Sequence, residues 1–269
     1  MLIYQDKYRL AFIAMIKEIK LALDNIKAEH DVKILFACES GSRAWGFPSI
    51  DSDYDVRFIY LYSKDKYLSI DNREETLDLP INEVLDVNGW ELTKALRLLR
   101  NSNAPLFEWL QSPVIYEQDT EFIELITPVI ANSFSLRAGM HHYTSMVRNA
   151  LKSLQTEEVR IKKYFYALRP LLAALWIARK NELPPMELGA LRKQIDDTVW
   201  QEKLDNLLTQ KSISNEKSTI PRLDYFNQFI EQELTNCDAV AMSLPKMNVN
   251  TEILNNIFRS LLNEFSDNT

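Results

Sequence analysis

Ser42 is followed eleven positions later by Asp53, with Asp55 two positions beyond that. The two runs are Glu39-Ser40-Gly41-Ser42-Arg43-Ala44-Trp45-Gly46 and Ser52-Asp53-Tyr54-Asp55-Val56-Arg57. Side chains alternate faces along a strand and repeat every ~6.6 Å, so aspartates at i and i+2 on a strand point the same way. Two carboxylates that close require a cation. Hard oxygen ligands suit Mg²⁺, which keeps several waters and is held by one or two carboxylates together with substrate phosphates. Gly41-Ser42 supplies what phosphates need: a glycine admits close backbone approach to an anion, a following helix start offers free N–H groups, and the hydroxyl adds a donor.

A second concentration of charge lies far downstream. Arg160, Lys162, Lys163 and Arg169 cluster in a chain with 31 basic and 38 acidic residues. Lys162, Tyr166 and Arg169 recur at i, i+4 and i+7, which predicts one helical face able to bind triphosphate. The same face could instead be solvated and paired with Glu157 and Glu158, and helix rotation decides between Lys162 and Lys163. Tyr164 and Tyr166 could stack a base, although aromatics at helical spacing more often belong to a core. His141 and His142 diverge by ~100° on a helix and cannot easily share a metal. Trp45, Trp90, Trp109 and Trp176 read chiefly as packing residues.

These groups need elements to position them. Residues 7–28 alternate apolar and charged positions at helical spacing and predict an amphipathic helix packed on a sheet. Residues 32–38 and 54–62 read as strands, the first ending at the Gly41-Ser42 turn, and 81–87 reads as a third. Asp86 lies on that third strand with the parity of Val84. Glu83 and Glu91 are nearby carboxylates, but Glu91 falls in the helical pattern of 91–100. From about Pro128 onward the strand signals fade, and helices are expected over 135–154, 157–181, 187–209, 224–235 and 249–265. Residues 212–221 read as a loop, and Pro170 marks a kink.

The composition, 46% hydrophobic and 26% charged, is that of a globular protein, and 269 residues suffice for two domains. No apolar run approaches the ~18 residues of a membrane span, and no export signal opens the chain, so a cytoplasmic protein with no membrane partner is expected. Cys38 and Cys237 show no metal-ligand spacing. A net charge of −7 excludes a surface that grips nucleic acid throughout, so double-stranded DNA is not expected as a partner.

A helix, a strand, Gly-Ser, a strand with Asp-x-Asp, and a later strand with a lone carboxylate together resemble the polymerase-β-like nucleotidyltransferase superfamily over roughly the first 120 residues. Gly-Ser-Arg-Ala-Trp-Gly at 41–46, Asp-Ser-Asp-Tyr-Asp-Val-Arg at 51–57, Asp-Val-Asn-Gly-Trp-Glu-Leu at 86–92 and Lys-Lys-Tyr-Phe-Tyr-Ala-Leu-Arg-Pro at 162–170 narrow the likeness. They resemble the branch of predicted nucleotidyltransferases related to the RNA-ligase-associated polymerase-β-like proteins, over most of the chain.

The resemblance implies an α+β fold: a mixed-sheet nucleotidyltransferase domain over 1–120, followed by an all-helical nucleotide- or substrate-binding domain over 121–269. It implies a metal-dependent enzyme that transfers an NMP group from a nucleoside triphosphate such as ATP to an acceptor hydroxyl on a protein, an RNA end or a small molecule. Asp53 and Asp55 would hold two Mg²⁺ (or Mn²⁺) ions and Asp86 the acceptor-side ion only. Gly41, Ser42 and Arg43 would meet the phosphates, with Lys162, Lys163, Tyr166, Arg169 and His142 completing the nucleotide site. The alternative is an inactive nucleotide-binding or antitoxin-like regulatory module. Arg137 with His142 also resembles the Arg-x4-6-His signature of helical nucleotide-binding ribonucleases, although His142 near the triphosphate is the favoured reading.

Overall fold

The computed structural model describes residues 2–80, 82, 84–245, 247 and 249–267; Ile81 and Glu83, both expected on the third strand, lie outside these. In chain order the first half comprises α1 (Leu2–His30), β1 (Val32–Glu39), α2 (Gly41–Trp45), β2 (Tyr54–Tyr62), α3 (Lys64–Leu68), β3 (Thr76–Pro80), β4 (Leu85–Glu91), α4 (Leu92–Arg100), α5 (Ala104–Trp109) and β5 (Ile115–Gln118). The five strands form one mixed sheet in the order β3-β4-β2-β1-β5. Only the β2–β4 pair is parallel, and the other three pairs are antiparallel.

Alternation along β2 separates two cores. Val56, Phe58, Tyr60 and Tyr62 pack with Ile19, Leu23 and Ile26 of α1. Ile59 and Leu61 face the other way, into a cluster with α4, α5 and the rest of the chain. The row Asp55, Arg57, Ile59, Leu61 therefore opens toward the helical half.

That half comprises α6 (Thr120–Ile130), α7 (Leu136–Leu151), β6 (Glu158–Arg160), α8 (Ile161–Lys180), α9 (Leu188–Leu191), α10 (Thr198–Ile213), β7 (Thr219–Pro221), α11 (Asp224–Ala241) and α12 (Thr251–Asp267). Only Asp119 separates β5 from α6, and its side chain caps α6 by accepting from Phe122 N–H at 2.8 Å. One apolar cluster holds Leu35, Ile59 and Trp109 together with Phe165, Leu204 and Leu261, so the core crosses residue 120 without a break. The last helix returns to the first half: Lys33 pairs with Glu264 at 2.8 Å, and the Tyr67 and Phe258 rings meet edge to face at 5.1 Å.

Local expectations differ in several places, and the strand expected over 81–87 is met by β4 only from Leu85, running on to Glu91. The helix expected from 157 begins at Ile161, because Val159 is buried between exposed Glu158 and Arg160, and this strand pairs with β7 inside the expected 212–221 loop. The helix expected over 187–209 is broken where Asp197 caps a new start, accepting from Trp200 N–H at 3.0 Å. Glu91 ends β4 and caps α4, its carboxylate accepting from the N–H groups of Thr93 and Lys94. Helix α8 runs on through Pro170. Among the described residues, no helix is long and apolar enough to cross a membrane.

Candidate active site

Parallel pairing of β2 with β4 sets Asp55 directly beside Asp86. Both side chains point to the face that opens toward the helical half, and both reach one guanidinium: Arg57 Nη2 lies 3.0 Å from Asp55 Oδ1 and 2.7 Å from Asp86 Oδ2. Asp53 precedes β2, in a turn that Arg43 braces. Arg43 donates to the carbonyls of Ser52 (2.6 Å) and Asp53 (3.0 Å) and lies 3.7 Å over the Tyr54 ring. Its guanidinium thus holds the turn, beside the Gly41-Ser42 start of α2.

Gly41 adopts φ +60°, and a Cβ there would fall 1.9 Å from Asp55 Oδ2. The Asp55 carboxylate therefore lies against a bare backbone that only glycine provides. Ser42 Oγ donates to Ser52 Oγ at 3.1 Å. Behind the pair sits Glu39, 1% exposed, which accepts from Asp55 N–H at 2.9 Å and from the Tyr116 hydroxyl.

The electrostatics follow from burial and like charge. Burial, with Asp86 and Asp53 adding, raises the Asp55 pKa over the opposition of Arg57. Burial and the charge of Glu216 raise that of Asp53. Burial raises Glu39 despite its two donors. Among the described residues, no three His, Cys, Asp or Glu side chains gather closely enough to hold a metal ion. Asp55 and Asp86 offer hard carboxylate oxygens on adjacent strands, of the kind that suits a divalent cation, with the Arg57 guanidinium reaching both.

The opposite wall comes from α8. Lys163, Tyr166 and Arg169 line a cavity of about 470 Å³ together with Trp45, Met146 and Asn149. Lys162 turns instead to Glu216, with which it forms an ion pair, and not to Glu157 or Glu158. Arg169 is 2% exposed: Nη2 lies 2.9 Å from Glu108 Oε1, Nε donates to the Met186 carbonyl at 2.9 Å, and the guanidinium stacks 4.5 Å from the Trp45 ring. Glu108 also accepts from Trp45 Nε1 (3.2 Å) and the Tyr143 hydroxyl (3.0 Å). Arg169 thereby links α8 to α5 through its ion pair with Glu108, while its Nη1 and Nη2 find no hydrogen-bond acceptor among the described residues and the side chain lines the cavity.

His142 lies beside this pair. Burial lowers its pKa, with Arg169 adding to the effect and Glu108 opposing it. Arg137 donates to the carbonyls of Leu244 (2.7 Å) and Met242 (2.8 Å), clamping the end of α11, so it is committed away from His142. Tyr164 is fully buried, and its hydroxyl accepts from Leu223 N–H at 2.6 Å, which makes it a core residue and not a base platform.

Residues 15–260 match the RNA repair pathway DNA polymerase beta family. The chain belongs to this family. It is 43% identical over 214 residues to the uncharacterized protein YcgL of Bacillus subtilis (strain 168), covering 79% of this chain and 82% of that one. A likeness of 27% over 122 residues joins 45% of the chain to 12% of the tRNA (34-2'-O)-methyltransferase regulator WDR6 of Drosophila melanogaster. Among solved structures, a nucleotidyltransferase-like protein from Exiguobacterium sibiricum 255-15 aligns with 84% of this chain and 75% of that one, at 14% identity and a TM-score of 0.28.

In this member of the RNA repair pathway DNA polymerase beta family, several site groups escape sequence reasoning. Arg57 carries a signal, standing two residues after Asp55 on the same face. Glu39 carries a weaker one, adjoining the Gly-Ser turn. Glu108, Lys211 and Glu216 carry none, because only tertiary packing brings them to the site.

Proposed function

We propose that this chain is a divalent-metal-dependent nucleotidyltransferase that moves an NMP group from a nucleoside triphosphate to an acceptor hydroxyl. The observation that carries this reading is Asp55 in register with Asp86, with its other oxygen laid against the bare backbone of Gly41. Family membership supports the same chemistry. When bound by Asp53, Asp55 and Asp86, Mg²⁺ or Mn²⁺ would supply Lewis-acid stabilisation of charge on the reacting phosphoryl oxygens.

The chain's own groups divide the remaining work. Ser42 and the Gly41 backbone receive the outer phosphates, while Lys162, Lys163 and Tyr166 approach from the helical wall. Asp86 has the more open carboxylate, 47% exposed against 30% for Asp55, which suits the acceptor side. The acceptor oxygen bonds to the α-phosphorus, its proton passes to Asp86, the bond from the α-phosphorus to the bridging oxygen breaks, and pyrophosphate leaves. Glu39 holds the Asp55 backbone, and Arg169 with Glu108 holds α8 against the sheet half.

A second reading, a nucleotide-binding module without turnover, is favoured by Arg57, a resident cation between Asp55 and Asp86. One experiment separates the two. The protein is incubated with Mg²⁺ and each α-labelled triphosphate in the presence of RNA, total protein or a metabolite pool. Label joined to one acceptor, and absent with Asp55→Asn, is the expected result. Triphosphate binding without any transferred label would establish the module instead.

A further inference from the structure

The loop from α10 to β7 carries Glu216 over the turn that precedes Asp53. Its N–H donates to both carboxylate oxygens of Asp51, at 3.0 and 3.2 Å, so the loop is tied to that turn. Its side chain enters a set of donors drawn from residues 49–52, from the start of α8 and from the end of α10. Oε2 pairs with Lys162 Nζ, and Oε1 lies 3.6 Å from Lys211 Nζ, 3.3 Å from Ser49 Oγ and 3.4 Å from Ser52 Oγ.

Lys211 is 2% exposed and donates to Ser49 Oγ at 2.9 Å, and burial lowers its pKa. Against Glu216, burial alone would raise the carboxyl pKa, but Lys162 and Lys211 together hold it below the usual range. Ser52 Oγ accepts from Ser42, so this donor set is continuous with the Gly-Ser turn. A buried ammonium is costly unless paired, and here its partner stands on an exposed loop.

We propose that Lys162, Lys211, Ser49 and Ser52 form an oxyanion site for the terminal phosphates of a triphosphate, and that Glu216 is its internal occupant, displaced when phosphate enters. Two ammoniums and two hydroxyls converge on the one Glu216 carboxylate, which has two oxygens, whereas a terminal phosphate near −2 offers three acceptor oxygens to the same donors. The identity of the anion rests on the nucleotidyl-transfer reading, whereas the site itself rests on the donors.

The test is titration of inorganic tripolyphosphate, without nucleotide or metal, into the full chain by calorimetry. Glu216→Gln keeps the shape and removes the charge, and is expected to bind at least about tenfold tighter than the unaltered protein. Glu216→Asp keeps the charge and should remain weak. Equal or weaker binding by a folded Glu216→Gln protein overturns the proposal. Lys162→Gln, at a partly exposed position, decides the matter even where Glu216→Gln does not fold: it must weaken tripolyphosphate binding, and unchanged affinity overturns the site. Absence of label transfer would reject nucleotidyl transfer and leave this titration intact, while indifference of tripolyphosphate to both variants rejects the oxyanion site alone.

Discussion

The two walls of the candidate site are built by different physics. On the sheet wall, Asp55 and Asp86 are placed by an unbroken register from Tyr54 with Leu85 to Tyr60 with Glu91. A slip of one residue would turn every side chain to the other face and expose the row that packs on α1, so burial of that row fixes the carboxylates. On the helical wall, cations are placed by partners remote in sequence: Lys162 by Glu216, Arg169 by Glu108, and Lys211 by Ser49, 162 positions away. Negative charge is thus concentrated by local geometry, and positive charge is held in reserve by long-range pairing.

The largest effects should fall on the sheet wall and should be unequal. Asp86→Ala is expected to keep most triphosphate affinity while turnover falls by about a hundredfold or more, since several kcal/mol of charge stabilisation is lost. Asp55→Ala should lose both binding and turnover. Steady-state kinetics beside equilibrium binding measure the split, and equal, mild losses for the two variants would erase the division of roles.

A smaller pair of effects separates strut from contact on the helical wall. Arg169→Met leaves Glu108 buried without its counter-charge and should cost about 3–5 kcal/mol of stability in denaturant unfolding. Lys163→Ala, on the cavity lining, should stay within ~0.5 kcal/mol while weakening ATP more than AMP. Were the two variants equally mild in unfolding, Arg169 would be an ordinary surface cation and the contrast between walls would weaken.

The smallest effect is a pH dependence behind the sheet wall. Burial sets the Glu39 pKa higher in the folded than in the unfolded chain. Its contribution to stability is therefore fully present below the unfolded value and is lost as pH rises through the folded one. Glu39→Gln does not titrate, so its melting temperature relative to the unaltered protein should rise as pH climbs from the ordinary carboxylate range toward neutrality. A difference that stays constant across that range would mean that Glu39 is not held as its burial indicates.

Legibility in the sequence follows the same division. Residues 54–62 announce β2 through alternating aromatic and β-branched residues, so Asp55 and its face can be read from spacing alone, and the Gly-Ser turn points to the close approach that Gly41 makes. The short strand β3 and the β6–β7 ribbon are invisible because three to five residues carry too little period to compete with the helical pattern around them. The roles of Arg169 and Lys162 were half legible: their clustering is in the sequence, but the carboxylates that neutralise them are chosen by packing. Glu216 sits in a polar stretch that nothing local distinguishes from an ordinary loop.

The joint use of both walls is tested most directly by calorimetric titration of ATP, with and without Mg²⁺, into the unaltered protein and Asp53→Asn. Mg²⁺ should tighten ATP binding to the unaltered protein, and that gain should vanish in Asp53→Asn while the weaker, metal-free binding through the helical wall persists. Equal ATP affinity for the two proteins in both conditions would contradict a metal-assisted site shared by sheet and helices.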